Sequence, residues 1–340
     1  MRAPDFWGGG PLSSLLSPLL SPLSLIYGMG VRLRFALTKP MRAGLPVVCV
    51  GNLVAGGAGK TPVALAIGEW FQAQGCKPHF LSRGYGGSLS GPVRVDAEYH
   101  HSHETGDEAL LLSRIAPTWL SRDRPAGASA AAMAGADVVI MDDGFQNPSL
   151  NKDLSLLVID GEYGIGNGRL IPAGPLRENM AKALSRANAV VVMGDDTAGV
   201  ETRVENILVK RIPILGARLA LKDGGKDWQG RKVLAFAGIG RPEKFFNSLR
   251  KAGAEVVVAR AFPDHYPYDE GEVAALVETA EAAGAEPVTT AKDAERLPVN
   301  VQDRVRVFRV HVQWQDEAAL ARLLSPFSEG VARNKVDTHG

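Results

Sequence analysis

The sequence predicts an α/β protein with two domains and a separate N-terminal amphipathic helix. Its 340 residues exceed what one hydrophobic core usually organises, so we expect two domains. Short apolar runs that end near glycines indicate buried strands that lead into helices. The first residues instead carry apolar side chains at helical spacing, which sets them apart from the rest of the chain.

We place the division between the two domains near Asp227. A polar turn, Lys222 to Gly225, precedes a new strand-like run that begins at Val233. The predicted segments are an N-terminal helix with a basic segment (1–42), a larger domain (43–226), a smaller α/β domain (227–330) and a flexible tail (331–340).

The net charge and the cysteine content bear on the expected partners and on the expected cellular location. The formal net charge of +1 gives no overall electrostatic reason to expect DNA or RNA. The two cysteines, Cys49 and Cys76, form neither a CxxC pair nor a zinc-like spacing, so a disulfide framework is not expected. We therefore expect a cytosolic location and no nucleic-acid partner.

The N-terminal segment has the pattern of a helix that lies in a membrane surface. Apolar residues recur from Leu12 to Tyr27 at helical spacing, and serines fall between them. Pro18 and Pro22 lie among the serines, and a helix that crosses a membrane is normally apolar on most sides for about 20 residues. A basic cluster that would favour an anionic cytoplasmic leaflet follows: Arg32, Arg34, Lys39 and Arg42. A cleaved signal peptide and a core helix of a soluble domain are the alternatives.

A glycine-rich loop between a strand and a helix predicts a P-loop NTPase-like α/β/α domain. The apolar run 45–51 leads into the loop, and a helical pattern covers 62–74. In such a loop the backbone N–H groups surround phosphate oxygens, the lysine reaches the β- and γ-phosphates, and the threonine can ligate Mg²⁺. Val54 replaces the first glycine of the usual GxxxxGK[ST] pattern, so the match is to a GGxGKT variant. The predicted nucleotide-binding residues are Gly56, Gly57, Ala58, Gly59, Lys60 and Thr61.

Two acids at a strand end predict the metal side of the same site. The apolar run 136–141 leads directly into Asp142 and Asp143. Strand ends carry the site in open α/β sheets, and one of the two carboxylates would hold Mg²⁺. Neither Asn151-Lys152-Asp153 nor Ala291-Lys292-Asp293 has the spacing of the guanine-reading NKxD motif. ATP with Mg²⁺ is therefore the expected cofactor pair.

Polar residues in three further loops are candidates for the chemistry. Thr105 and Glu108 have the spacing of a capping box, while Asp107 between them could orient an acceptor hydroxyl and take its proton; both interpretations can hold together. His265 follows a strand-like run and could pair with a carboxylate. Arg83 and Arg177 lie in glycine-punctuated turns, where a guanidinium can bind phosphate through two hydrogen bonds.

Seven motifs extend over nearly the whole chain: GNLVAGGAGKTP (51–62), LSRGYGG (81–87), TGDEALLL (105–112), DDGFQ (142–146), NGRLIPAGPLRE (167–178), FPDHYPY (262–268) and TTAKDAERL (289–297). In this order they resemble the tetraacyldisaccharide 4'-kinase (lipid A 4'-kinase) family of Gram-negative bacteria. The resemblance implies a kinase that transfers the γ-phosphate of ATP to the 4'-hydroxyl of a tetraacylated glucosamine disaccharide 1-phosphate, giving lipid IVA in lipid A biosynthesis. It also implies two α/β/α domains with the active site in the cleft between them.

The resemblance also implies roles for single residues. Asp107 corresponds to the family's catalytic base and His265 to its partner, while Lys60 and Thr61 correspond to the phosphate and metal groups. The implied metal-side residues are Asp142, Asp143 and Gln146, and Arg177 and Glu178 are similarly placed in a family motif. The candidate substrate-binding residues are Arg83, Arg124, Arg177 and Glu178, and the sequence leaves Arg122 open beside Arg124 for the substrate's 1-phosphate. Ala291 departs from the family pattern, in which a glutamate is expected.

The acyl chains of such a substrate would account for the amphipathic N-terminus. They imply a peripheral or monotopic protein on the cytoplasmic face of the bacterial inner membrane. Because Asp107 and His265 fall in different predicted domains, their pairing would require the domains to close on each other. Two rival functions are an ATPase switch on a membrane and a small-molecule kinase whose N-terminal helix is a dimer contact. The switch would need a second lysine at position 55, which is Ala55.

Overall fold

The computed structural model describes residues 4–208, 211–221 and 225–337, and two β-sheets organise this part of the chain. The strands of the larger sheet are β1 (Val47–Asn52), β2 (Pro78–Ser82), β3 (Val93–Val95), β4 (Thr118–Leu120), β5 (Val138–Asp142), β6 (Leu154–Asp160), β7 (Ala189–Met193), β8 (Ile214–Leu221) and β13 (Val310–Trp314). The strands of the smaller sheet are β9 (Lys232–Ala237), β10 (Glu255–Ala261), β11 (Glu286–Thr290) and β12 (Arg306–Phe308).

Helices cover both sheets and connect their strands. The α-helices are α1 (Pro11–Leu37), α2 (Lys60–Ala73), α3 (Ser102–Thr105), α4 (Asp107–Ser113), α5 (Arg124–Met133), α6 (Met180–Leu184), α7 (Val200–Ile207), α8 (Pro242–Lys251), α9 (Glu270–Ala282), α10 (Ala291–Ala294) and α11 (Glu317–Asp337). Short 3₁₀ helices lie at Asp5–Gly8, Lys226–Trp228 and Val299–Arg304.

The larger sheet is parallel at its centre and antiparallel at both edges. Its order is β13-β8-β7-β6-β1-β5-β2-β4-β3, and only the β13–β8 and β3–β4 pairs are antiparallel. Its central strands are mostly apolar and buried at every position, because helices cover both faces. Alternate residues of β1 separate the two cores: Val48 and Val50 belong to one, Val47 and Cys49 to the other. The predicted α/β fold is therefore present.

The C-terminal segment returns to the larger sheet, which differs from the expected segments. The smaller sheet, with order β10-β9-β11-β12, ends at Phe308, and β13 then pairs with β8. Leu320 and Leu324 of α11 lie in the same core as α2. Residues 310–330, expected in the smaller domain, therefore pack on the larger one. The helix also continues to Asp337 through residues expected to form a flexible tail, and residues 338–340 lie outside the described part.

The N-terminal helix turns its apolar side away from the protein. Ser13, Ser17 and Ser24 are its buried residues, whereas Leu15 and Leu19 are 71% and 75% exposed. By length and composition alone, α1 is also apolar enough to cross a membrane, as a signal sequence or a core helix can be. This burial shows that α1 is no core helix of the larger domain, because its fully buried residues are serines and its large leucines are exposed.

Candidate active site

The glycine loop connects β1 to α2 at the centre of the larger sheet. Gly56 and Gly59 have φ angles of +123° and +86°, in the region that glycine adopts far more readily than other residues. The Asn52 side-chain amide donates hydrogen bonds to the carbonyls of Val54, at 2.6 Å, and Gly56, at 3.2 Å. This arrangement holds a glycine loop at the N-terminus of a helix, the general form of a phosphate-binding site.

A second segment, residues 167–178, pairs with this loop and is here called the strap. The Ala55 N–H donates to the Pro175 carbonyl at 2.8 Å, and the Arg177 N–H donates to the Leu53 carbonyl at 2.9 Å. These bonds flank an isolated antiparallel bridge between Val54 and Leu176. The strap therefore holds the loop from one side, which no sequence motif of the loop alone indicates.

Asp142, at the end of β5, has the surroundings of a magnesium ligand. Its Oδ2 accepts a hydrogen bond from the Thr61 hydroxyl at 3.0 Å. Its Oδ1 is buried without a hydrogen-bond partner in the described part of the chain. Burial raises the pKa of Asp142, the negative charge of Glu108 raises it further, and Lys60 opposes both. A carboxylate oxygen without a partner beside a threonine hydroxyl is a donor set that suits Mg²⁺, so these residues fit the ion.

Asp143 lies between two cationic side chains. Its carboxylate accepts hydrogen bonds from Arg177 at 2.8 and 3.0 Å, and the Lys60 ammonium is 3.8 Å away. Burial opposes ionisation, but Lys60 and Arg177 outweigh it and lower the pKa of Asp143. The two adjacent aspartates thus have pKa values shifted in opposite directions, a pattern common at functional sites.

Asp107 meets His265 across the cleft between the two sheets. Asp107 is the first residue of α4 and is 2% exposed. Its Oδ2 lies 3.0 Å from the His265 Nδ1 and 3.4 Å from the Arg296 Nε, and its Oδ1 lies 3.9 Å from the Lys292 Nζ. Three basic side chains from the smaller-sheet region therefore surround one carboxylate of the larger domain.

These neighbours keep Asp107 ionised. Burial alone would raise its pKa, but the hydrogen bond with His265 and the charges of Lys292 and Arg296 outweigh burial and lower it. Lys292 also pairs with Glu108 at 3.2 Å, and the pKa of Lys292 is raised because that pair outweighs its own burial. The arrangement offers a negative carboxylate that can accept a proton.

The capping box expected at Thr105 and Glu108 is wrong. Helix α4 begins after Gly106, and no side chain caps it. The Glu104 carboxylate instead accepts from the His101 N–H at 2.9 Å, which caps the preceding turn α3. Gly106, with φ of +80°, separates the two short helices, and this break explains why the spacing was misleading.

Gln146 and Glu178 connect the strap to the base of the glycine loop. The Gln146 side-chain amide donates to the Asn52 carbonyl at 2.9 Å and to the Glu178 carboxylate at 3.1 Å. Glu178 also accepts two hydrogen bonds from Arg186, at 2.9 and 2.7 Å. The Gln146 amide thus joins the end of β1 to the strap, and Arg186, which the sequence did not single out, completes the network.

The remaining two arginine candidates differ in burial. Arg124, at the start of α5, is 2% exposed and donates to the Ser121 carbonyl at 3.3 Å. Burial lowers its pKa to about 10, although the charge of Asp143 acts in the opposite direction. Arg83 follows β2 and is exposed. Arg124 is thus buried near Asp142 and Asp143, and the charge of the exposed Arg83 also acts on its pKa.

Comparison with known proteins identifies the family. The family model for tetraacyldisaccharide-1-P 4'-kinase (LpxK) matches residues 16–328. The chain belongs to this family. A tetraacyldisaccharide 4'-kinase of Rhodospirillum centenum is 50% identical, and the match covers 100% of this chain and 99% of that protein. One of Paramagnetospirillum magneticum is 52% identical, with 95% and 98% covered.

A solved structure of the same family has the same fold. The crystal structure of LpxK from Aquifex aeolicus in complex with ATP is 27% identical, with a TM-score of 0.72, and the match covers 92% of this chain and 99% of that one. The family, the P-loop-like α/β fold and the kinase class predicted from the sequence are therefore confirmed. Membership of the LpxK family favours a lipid kinase over the ATPase switch and the small-molecule kinase.

Proposed function

We propose that this protein transfers the γ-phosphate of ATP to the 4'-hydroxyl of a tetraacyldisaccharide 1-phosphate on the cytoplasmic face of the inner membrane, forming lipid IVA. The observation that carries the proposal is the buried Asp107 carboxylate, held by three basic side chains in the cleft. Its neighbour Glu108 is close enough to the acids of the glycine-loop site to raise the pKa of Asp142. A base and a phosphate site therefore face the same cleft.

In this proposal Asp107 is the general base and His265 its positioning partner. A carboxylate with a lowered pKa cannot remove the proton of a sugar hydroxyl in advance. Asp107 instead orients the hydroxyl and accepts its proton late, as the oxygen–phosphorus bond forms. The hydrogen bond from His265 Nδ1 fixes the carboxylate for this task.

The glycine loop and the adjacent cations bind the phosphates. Residues 56–59 contribute backbone N–H groups, and Lys60 contributes a charge that stabilises the transferring group. Thr61 and Asp142 would hold Mg²⁺, with Asp143 and Gln146 around them. When bound there, Mg²⁺ would supply positive charge that offsets the negative charge of the phosphates.

Of the four candidate substrate residues, the three arginines suit contacts with the lipid headgroup or its phosphates. Arg177 lies beside Asp143 at the mouth of the glycine loop, and Arg124 lies behind it. Arg83 is exposed at the end of β2, where a phosphate could approach it. Glu178 is buried against Arg186, so we expect it to shape the strap rather than touch the lipid.

The N-terminal helix supports a position on the membrane surface rather than across it. Its serine face is hydrogen-bonded to the strap, so acyl chains cannot surround it on all sides. Its outward face exposes large apolar residues over the length of the helix: Leu12, Leu15, Leu19, Leu23, Leu25, Ile26, Met29, Leu33 and Leu37. Such a face, followed by basic residues, is typical of a helix that binds an anionic interface.

The activity is tested by incubating the protein with γ-labelled ATP, Mg²⁺ and an acylated disaccharide 1-phosphate, followed by thin-layer chromatography. A labelled lipid is the expected result. Labelled inorganic phosphate without labelled lipid would support the switch, and label in a soluble sugar alone would support the small-molecule kinase.

Membrane binding is tested by sedimentation with phospholipid vesicles. Leu19→Asp places a charge on the outward face of α1 and should weaken sedimentation about tenfold or more, since burying a charge at an interface is unfavourable. Met133→Asp is the matched control, because Met133 is 84% exposed on α5. Equal sedimentation of the two variants would contradict the proposed surface.

A further inference from the structure

The serine face of α1 forms a polar seam with the strap. The seam consists of the side chains of Ser13, Ser17 and Ser24 of α1 with three parts of the strap: the Asn167 side chain and the backbone of Leu170 and Ala173. Ser17 Oγ donates to the Ala173 carbonyl at 2.8 Å, and Ser24 Oγ donates to the Leu170 carbonyl at 2.8 Å. The Asn167 amide donates to Ser13 and Ser17 at 3.1 and 3.0 Å, and Ser24 Oγ accepts from the Ala173 N–H at 3.1 Å.

The strap is short and closely packed between the seam and the glycine loop. A single residue, Gly174, separates Ala173 in the seam from Pro175, which accepts the hydrogen bond of the glycine loop. A Cβ at Gly174 would lie 2.1 Å from the Asn167 Oδ1 and 2.5 Å from the Arg169 carbonyl oxygen, so the turn has no free space. A packed segment of this kind moves as a unit rather than deforming gradually.

A second contact joins the other end of α1 to the same strap. The Arg186 guanidinium lies 4.3 Å from the centre of the Phe35 ring and 5.0 Å from that of Phe145. The same guanidinium holds Glu178, the last residue of the strap, through two hydrogen bonds. Helix α1 therefore contacts the strap directly through its serines and indirectly, through Arg186, at its C-terminal end. Between these two points, the strap pairs with the glycine loop.

We infer that α1 is a positioning element for the nucleotide site, so that a lipid surface and a nucleotide bind cooperatively through the polar seam. The inference rests on the membrane binding proposed above. In water the outward leucines favour any arrangement that covers them, including displacement of α1 from the strap. A lipid surface covers these leucines while α1 remains seated, and therefore increases the population in which the strap holds the glycine loop.

The expected coupling is reciprocal. If vesicles tighten nucleotide binding by a given factor, the nucleotide must tighten vesicle binding by the same factor. Coupling of this type commonly amounts to about 5-fold or more. Two independent titrations on the same protein therefore measure one quantity, and neither depends on phosphate transfer.

The test uses a fluorescent ATP analogue with Mg²⁺ and vesicles of mixed zwitterionic and anionic phospholipid. For the unmodified protein we expect nucleotide Kd to fall about fivefold when vesicles are added. In the double variant Ser17→Ala with Ser24→Ala, vesicle sedimentation should persist, because the outward face is intact, but the vesicle effect on Kd should disappear. Ser14→Ala is the matched control, since among the described residues the Ser14 hydroxyl donates to the Pro11 carbonyl of its own helix and not to the strap.

Three results would overturn the inference. Vesicle binding by the unmodified protein without a change in nucleotide Kd would exclude the coupling and leave the proposed membrane location intact. Failure to bind vesicles at all would exclude both. A double serine variant that keeps the full vesicle effect on nucleotide Kd would exclude the seam. If that variant does not fold, Phe35→Leu at the other contact replaces it as the test. This variant must show a smaller vesicle effect, and an unchanged effect would overturn the inference equally.

Discussion

Two residues of the site hold a backbone conformation that side chains rarely adopt. Asp143 and His265 have φ angles of +52° and +59°, in the left-handed region where a residue other than glycine costs about 1–3 kcal/mol. Backbone hydrogen bonds hold both residues. The Asp143 N–H donates to the Val50 carbonyl and the His265 N–H donates to the Gly238 carbonyl, each at 3.0 Å. Strain of this kind recurs at functional sites and depends on tertiary contacts, so no local sequence pattern predicts it.

Sequence motifs predicted the central residues of the site, but they did not predict which side chains surround those residues. Asp107 and His265 were expected to pair, and the structure brings them within 3.0 Å, although their catalytic roles stay predictions. Lys292 and Arg296 were not singled out, even though both approach the same carboxylate. They lie almost two hundred residues further along the chain, and only the packing of α10 against α4 brings them near. Side chains that reach a site only through tertiary contacts have no fixed sequence spacing from the other residues of the site, so no motif reveals them.

Replacing Asp107 with asparagine should slow transfer about 10²–10⁴-fold, because the amide has the same shape but accepts no proton. Nucleotide affinity should stay unchanged, since the glycine loop is intact. The measurements are labelled-phosphate transfer and titration with a fluorescent ATP analogue. Glu104→Gln is the control, because that acid only caps α3. Normal turnover of Asp107→Asn would show that another group takes the proton.

The pH dependence of phosphate transfer should show the effect of the neighbouring cations on the pKa of Asp107. Because their combined effect lowers the pKa of Asp107, activity should persist to a pH below the ordinary aspartate range of about 4. Lys292→Met removes one positive charge, which raises that pKa and moves the acid limb of kcat/KM to higher pH. Lys251→Met, an exposed lysine at the end of α8, should leave the limb in place. If the unmodified protein and both variants have the same acid limb, the charge of Lys292 does not influence the pKa of the base.

At the scale of elements, α1 shows what hydrophobic periodicity can and cannot predict. The periodicity correctly indicated an amphipathic helix, yet in soluble domains the apolar face normally packs inward. Here the strap presents carbonyl groups at Leu170 and Ala173, and serine hydroxyls satisfy them. Which face packs is thus decided by a segment about 150 residues away. Periodicity alone contains no information about that partner.

Close packing of α2 against β2 predicts the effect of one glycine. A Cβ at Gly68 would lie 2.4 Å from the Cζ of Phe80, so Gly68→Ala should displace the ring and lower the free energy of unfolding by about 1–3 kcal/mol. Higher helix propensity of alanine offsets at most about 1 kcal/mol of this. Gly30→Ala in α1 is the control, because its added Cβ meets no described atom within 4 Å apart from its chain neighbours and its own helix backbone. Urea unfolding measures both variants, and a Gly68→Ala protein as stable as the control would mean that Phe80 moves freely.

At the scale of the whole molecule, the return of β13 to the larger sheet was the part of the fold that sequence patterns did not indicate. A five-residue strand such as Val310–Trp314 carries an apolar pattern that suits either sheet. Its position is decided by the edge that β8 offers and by the core under α2, which Leu320 and Leu324 complete. The smaller sheet is therefore an insertion whose two ends both join the larger domain.

A buried ion-pair cluster fixes the smaller sheet region against the larger domain. Asp160, at the end of β6, is 5% exposed and accepts from Arg241 at 3.0 Å and Lys244 at 2.6 Å. Burial opposes its ionisation, but the hydrogen bond with Lys244 and the charge of Arg241 lower its pKa. The contribution of these ion pairs to folding stability is therefore present at neutral pH. It is lost only as the pH falls through the lowered pKa of Asp160, below about 4.

Asp160→Asn should loosen this contact and, through it, the pairing of Asp107 with His265. The amide keeps the size of the side chain but removes the charge that Arg241 and Lys244 share. We expect transfer to slow about tenfold, equivalent to about 1.4 kcal/mol, and small-angle scattering to show a larger radius of gyration. Arg114→Gln is the control: it breaks the pair with Glu295 across the same cleft, but Arg114 is 51% exposed, and exposed pairs contribute only about 0–1 kcal/mol. If Asp160→Asn matches the control in both rate and scattering, the domain arrangement that builds the catalytic pair must be held by other contacts.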